Sequence, residues 1–436
     1  MALTKVSGEV ITRPLVLTGN ASVSGIMTVG IGSTTTTIDG SQDFPTIRPT
    51  LDLNFAATKT LDRRITFTRD SIGTYTDELG IIQTVPNNVP RFDHDPETGE
   101  SLGLLIEESR TNLITYSENF VGNYTLTNVT LNANSTISPS GNSDATTVTA
   151  DITNSTGVEY YTSFSNLVNY TISLFVKRKS GSNSFVIRSA GGGTSRIQAT
   201  FSLENETSSE ADETTSSSII SYPNGWFKCS VSGPVSSDEN RIIFLNSMTL
   251  NEEFYIWGAQ LEQASFPTSY IPTSGSTVTR AADIPKIEGT NLTDFYNSIE
   301  GTVFTEYQNL KVGDSLNRAW SVELNANQVL NIIPEYNQVR ASYFNSIFEY
   351  SSGDVSATQD FNKVALGFKT NNTNLAVNGT IGEDDTSISL IDFRSGYFNI
   401  GRSEYYSPRE LNGCIRQLSY YNKRLTNSQL QSLTRQ

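Results

Sequence analysis

Few side chains in this sequence are placed to do chemistry, and they point to different reactions. Its one histidine, His94, stands between Asp93 and Asp95, where an imidazole could bind a metal or move a proton. Without a second histidine or a cysteine pair beside it, the better reading is a turn histidine held by the flanking carboxylates. Cleaving a glycosidic bond takes two carboxyl groups about 5 to 10 Å apart. Acidic pairs such as Glu252-Glu253 and Asp384-Asp385 fall at expected strand ends or turns, where a solvated charge is the ordinary state. The sequence contains no Glu-x-Asp-x-x-Glu, phosphate loop or zinc spacing, and no nucleophile elbow is read in it. The expectation is a chain without catalysis. A second chemistry is open to aromatic and polar residues side by side, since sugar C–H faces stack on rings while hydroxyls take hydrogen bonds. Tyr405-Tyr406 with Arg409, in the loop after Gly401, is the most exposed-looking aromatic pair.

The elements that must carry these residues are strands. From Asn362 to Leu433 short segments alternate apolar and polar residues at period two, and Asn378-Gly379 between Leu375-Ala-Val377 and Thr380-Ile381 has the chemistry of a two-residue hairpin turn. Such segments make a half-buried antiparallel sheet. Arg424-Leu-Thr-Asn-Ser-Gln-Leu-Gln-Ser-Leu433 closes the chain as a capped helical turn. Together with Phe398-Asn-Ile-Gly-Arg402 and Gly413-Cys-Ile-Arg-Gln-Leu-Ser-Tyr420, these residues resemble the end of a laminin-G-like, concanavalin-type lectin domain over 301–436. The resemblance implies a β-sandwich, and loops that could offer calcium oxygens from Asn378, Asp384 and Asp385.

Upstream, strand candidates such as Tyr170–Lys177, Gly225–Val231 and Glu253–Leu261 recur with turns between them across 112–273, which implies a sandwich or jelly roll. Trp226-Phe-Lys228 and Trp257-Gly-Ala-Gln-Leu-Glu262 in this stretch resemble jelly-roll carbohydrate-binding modules of phage appendages, a likeness that makes Trp257 a candidate sugar contact. The block 44–111 clusters Arg48, Arg63, Arg64, Arg69, Arg91 and Arg110 against acidic residues. Its run Arg91-Phe-Asp-His-Asp-Pro-Glu-Thr-Gly-Glu-Ser-Leu-Gly-Leu-Leu-Ile-Glu-Glu108 resembles a segment of tailed-bacteriophage fibres and other virion appendages. Residues 274–300 read as a linker. Residues 1–43, with Leu15-Val-Leu-Thr18, Ala21-Ser-Val-Ser24 and Ile26–Ile31, alternate but are too poor in apolar surface to stand alone, so identical copies must supply the cover.

Composition narrows the partners. Against 30 Lys and Arg stand 45 Asp and Glu, a net charge of −15 that repels phosphate backbones and disfavours nucleic acid. Cys229 and Cys414 read as small buried residues of separate domains. No apolar run reaches the about 20 residues that span a bilayer, and the first residues lack the basic start and apolar centre of an export signal. The expected protein is all-β and elongated: an oligomerising N-terminal segment (1–43), an adaptor-like block (44–111), a jelly roll (112–273), a linker (274–300) and a concanavalin-like sandwich (301–436). It is expected as a homotrimer in a virion, assembled in the host cytoplasm and exposed on the particle, joined through its N-terminal segment to other virion proteins and binding host-surface glycans. A purely architectural capsid, neck or baseplate role and a polysaccharide depolymerase are the alternatives.

Overall fold

The computed structural model describes residues 26–31, 34–39, 43–193, 195–309, 317–335, 338–345, 347–350, 355–356, 361–405 and 409–435. The chain is all-β apart from short helical turns, and its strands form two sandwiches. In the first, two eight-stranded sheets face each other. One is centred on Glu300–Asn309 and Gly413–Tyr421, which pair antiparallel along most of their length. The other runs through Gln328–Glu335, Trp320–Asn325, Tyr397–Ile400 and Ile284–Glu288. Alternation decides which side chains enter the core: along Gln338–Asn345, Val339, Ala341 and Tyr343 point inward while their neighbours are partly exposed. The Asn378-Gly379 turn has φ values of 48° and 81°, as a mirror-image hairpin turn requires. The closing helix, Asn427–Thr434, starts on a Thr426/Gln429 capping box and buries Leu430.

The second sandwich is the jelly roll, two six-stranded sheets. One holds Gly157–Tyr161, Glu239–Asn246, Ser184–Gly191 and Gln198–Ser202 in neighbouring positions. The other holds Glu253–Glu262, Val168–Ser180 and Trp226–Val235. Phe185 bridges the two sheets across their shared core, stacked on Phe201 at 5.6 Å and edge-on to Phe254 of the facing sheet at 5.3 Å.

The order of these pieces along the chain differs from the expected one. Residues 44–111 are not a module of their own. Leu51–Asn54 and Ser101–Ile106 both pair with Gly413–Tyr421, and Thr66–Thr68 pairs with Ile284–Glu288. Nor is 274–300 a linker, since Ile284–Glu288 lies between Tyr397–Ile400 and Thr66–Thr68 within the second sheet. The jelly roll is thus inserted into one sandwich whose strands come from both sides of it. The crossing is a two-stranded neck in which Arg110–Asn112 pairs with Val278–Arg280, and the Thr111 and Thr279 hydroxyls bond at 2.8 Å. Alternation reveals that a segment is a strand, but not which distant strand it joins. Gly103 makes one of these joints possible: at φ 92°, a Cβ on it would lie 2.2 Å from the Ile415 carbonyl oxygen.

The arginines and acids of the block explain themselves here. Arg69, Arg91, Glu107, Arg280 and Asp283 are buried together at the foot of the neck. Arg91 bridges Glu107 at 2.7 Å and Asp283, which also takes Arg69 at 3.2 Å. Ser269, on the jelly-roll side, donates to Glu107 through both its amide (2.7 Å) and its hydroxyl (2.6 Å). Burial alone would raise the Glu107 carboxyl, but Arg280, Arg91 and the Ser269 hydrogen bonds hold it well below the usual carboxylate range.

For the N-terminal segment, Ile26–Ile31 and Thr34–Asp39 form an antiparallel hairpin. The other strands expected there, in 15–24, lie outside the described residues.

Candidate functional site

A groove of about 780 Å³ lies in the 59–94 stretch of the first sandwich. Four short strands shape it: Thr66–Thr68, the hairpin Gly73–Thr76 with Ile82–Val85, and Phe92–His94. Thr74 and Thr76 are buried while Tyr75 between them is partly exposed, the reverse of the usual arrangement, so the ring lies on the groove side. Phe67, Phe92 and Pro90 continue this apolar lining. Polar groups stand around it. Lys59 and Glu78 form an ion pair, and hydrogen bonding to Lys59 lowers the Glu78 carboxyl. Asp77 is fixed by accepting from the Leu79 and Ile81 amides, both at 2.9 Å, and from Gln83 at 2.8 Å. A ring floor with amide, carboxylate and ammonium groups around it is the equipment for holding a sugar face and its hydroxyls.

His94 forms part of the groove wall, buried at the end of its strand. It is not held by its neighbours: Nδ1 lies 3.1 Å from the Thr76 carbonyl, to which it donates, leaving Nε2 as the acceptor of the ring. Asp95 instead caps the turn to Gly99 by accepting from the amides of Glu97 and Thr98. Asp93 accepts from the Thr76 amide at 2.6 Å, yet burial pushes its carboxyl up to about 6.

The expected site residues are scattered. Tyr405 is 40% exposed and firmly held. Its hydroxyl donates to the Leu324 carbonyl at 3.1 Å, its ring meets Tyr397 at 6.3 Å, and the Glu404 and Tyr405 amides donate to the buried Glu323 carboxylate. Lys286 sits 4.5 Å from the Tyr397 ring centre. Tyr406 lies outside the described residues. Arg409 is partly buried, its amide bonded to the Glu410 carboxylate at 2.9 Å.

Trp257 is corrected outright as a sugar contact: it is 1% exposed, packed 4.5 Å from Tyr270 and 5.4 Å from Phe175. A tryptophan within an apolar strand fills space before it binds ligand. Asn378, Asp384 and Asp385 are each committed elsewhere. Asn378 bonds Asn362 and the Lys363 amide, Asp384 accepts from Asn374 and Asn427, and Asp385 accepts from Ser387. Among the described residues no group of three or more His, Cys, Asp or Glu could hold a metal ion. The groove itself was missed in the sequence. Its signal was present in Thr66-Phe-Thr68 and Thr74-Tyr-Thr76, single rings alternating with threonines.

No family model matches the chain, and no curated protein matches it. Solved structures do. The carbohydrate-binding module (CBM40) of the Ruminococcus gnavus IT-sialidase bound to α2,3-sialyllactose is 13% identical with a TM-score of 0.28, over 32% of this chain and 84% of that one. Domain 4 of a Geobacillus stearothermophilus extracellular arabinanase in complex with arabinotriose is 13% identical with a TM-score of 0.31, over 39% and 82%. Trypanosoma rangeli sialidase in complex with the inhibitor DANA is 10% identical with a TM-score of 0.27, over 59% and 61%.

The expectation of a chain without catalysis is corrected. It had rested on missing motifs, and one of them is present. Gly99-Glu-Ser101-Leu-Gly103 has the spelling of a nucleophile elbow, although Ser101 opens a strand and its hydroxyl is buried without a partner. The strand pairing supports one statement: this is an all-β protein built of β-sandwiches.

Proposed function

We propose that the chain binds glycans and serves as an attachment protein on a tailed-phage particle. The observation that carries the reading is the open groove floored by Phe67, Tyr75 and Phe92 with Lys59, Asp77 and Glu78 around it. The Tyr397–Tyr405 platform is a second aromatic surface on the same sandwich. Solved structures of similar fold carry bound sugars, which is in keeping with it. The particle context rests on the resemblance of the run from Arg91 to Glu108 to virion appendage segments. In that setting the hairpin Ile26–Ile31 with Thr34–Asp39, marginal as two strands, is completed by two further copies in a trimer that joins other virion proteins. Sites of weak affinity gain from such repetition on one particle.

The test is retention of the full chain on immobilised host-surface polysaccharide. Phe67→Ala and Tyr75→Ala are expected to lower affinity at least tenfold while the unfolding midpoint stays put. Equal retention of wild type and both variants would remove the groove from the account. Particles lacking the chain should assemble and fail to adsorb; failure to assemble would instead favour an architectural role.

A further inference from the structure

The outer face of one jelly-roll sheet gathers three arginines against two glutamates on a chain that is otherwise strongly acidic. Register places the residues. Arg241, on Glu239–Asn246, pairs with Tyr161 on one side and Ala190 on the other. Arg188, on Ser184–Gly191, pairs with Ile243 and Gln198. Arg241 and Ile243 are two residues apart on one strand, so Arg241 and Arg188 share a face in adjacent rows, about 7 Å apart along the strands. The Ser189 amide donates to the Ile197 carbonyl at 2.9 Å, carrying the register onward and putting Arg196 beside Ala190. The result is a shallow cradle. Its floor is the small side chain of Ala190, Arg188, Arg196 and Arg241 surround it, and Tyr161, 54% exposed, stands at its end with the Arg241 guanidinium 5.6 Å from its ring centre.

Two acids face this cradle, and each has a partner, although one Glu239 carboxylate oxygen is buried without one. Glu159 takes Arg241 at 2.9 Å and the Thr127 hydroxyl at 2.7 Å, and Glu239 takes the Gly193 amide at 3.1 Å. Arg188 makes no hydrogen bond or ion pair among the described residues, and its Nε is buried without a partner. Burial, then the repulsion of Arg196 and Arg241, lowers the pKa of its guanidinium. A half-buried cation crowded by like charges is costly to keep empty, and a bound anion relieves it.

We infer that this face is a second sugar site that takes a carboxylate-bearing sugar, a uronic or nonulosonic acid. The planar fork of arginine matches a carboxylate bidentately, and Tyr161 supplies the ring on which the sugar stacks. The inference rests on the glycan-binding reading but not on the groove, so the two can fail separately.

Titration calorimetry of the full chain with trigalacturonate, and with uncharged maltotriose as control, decides it. Trigalacturonate is expected to bind and to weaken as salt is raised. Arg188→Gln and Arg241→Gln should each cost at least tenfold, Arg188→Lys less, and the groove variant Phe67→Ala should cost nothing. Inorganic phosphate should compete poorly. No binding of trigalacturonate, unchanged affinity in Arg188→Gln, phosphate competing as well as the uronate, or a tenfold loss in Phe67→Ala would each overturn the assignment.

Discussion

Asp93 shows what a single residue can reveal about this molecule. Its carboxyl titrates near 6 in the folded chain against an ordinary value of 3.8, because burial disfavours the charge. The folded state therefore holds the proton more tightly than the unfolded one. Below about pH 4 both states are protonated and nothing is lost; between pH 4 and 6 a penalty develops, and above 6 it stays, at most about 3 kcal/mol. Asn in its place keeps an oxygen for the Thr76 amide and has no charge to bury. Asp93→Asn is accordingly expected to raise unfolding free energy at pH 8 and leave it unchanged near pH 3.5, read by urea titration at both values. At the proposed Tyr397–Tyr405 platform, Tyr405→Phe removes the bond to Leu324 but keeps the ring, whereas Tyr405→Ala removes both. Only the second should weaken glycan retention severalfold. This scale was the least legible in the sequence. Tyr405 stands out by type, but burial cannot be read from type, and so Trp257 was a candidate sugar contact while Tyr75 was not singled out.

At the scale of elements, the neck and its buried charges govern. The five groups at its foot come from four segments of the chain, three before the jelly roll and one after it, with Ser269 as the jelly roll's own contribution. Removing one partner strands the others. Asp283→Ala leaves Arg69 and Arg91 buried without a carboxylate between them and is expected to cost about 3 to 5 kcal/mol, measurable as a lowered denaturation midpoint. Glu107 contributes stability that is whole above its ordinary pKa and is lost as pH falls through its depressed one, so acid should open the joint before it melts the jelly-roll core. Alternation and turn chemistry made the strands and the Asn378-Gly379 hairpin legible. Partnership was not, because three- to six-residue strands such as Phe92–His94 and Ser101–Ile106 carry no mark of the strand they will meet. The charged texture of 44–111 was visible in the sequence, but it was assigned to a separate adaptor-like block, whereas its Arg69, Arg91 and Glu107 form the inside of a joint.

For the whole molecule, the insertion sets what can fold alone. A fragment of 301–436 would lack Leu51–Asn54, Ser101–Ile106 and Ile284–Glu288, strands that flank Gly413–Tyr421 and Tyr397–Ile400. It is expected to be insoluble or unfolded by circular dichroism, while 113–273 is expected to fold. Sedimentation equilibrium of the full chain should give three subunits, and removal of residues 1–43 should give one; a monomeric full chain would end the trimer proposal. Fold class was legible here because composition and periodicity are properties of the whole chain, whereas the nesting of one sandwich in another is a property of distant pairs.

The neck also fixes a distance. A domain strung on one strand of chain can swivel, but one entered and left through paired strands over a buried ionic joint is clamped like a jaw. The groove and the arginine face are then held at a constant span. On the two sites proposed above, a polymer reaching both would have to carry its acidic unit at one particular stride from the unit held in the groove.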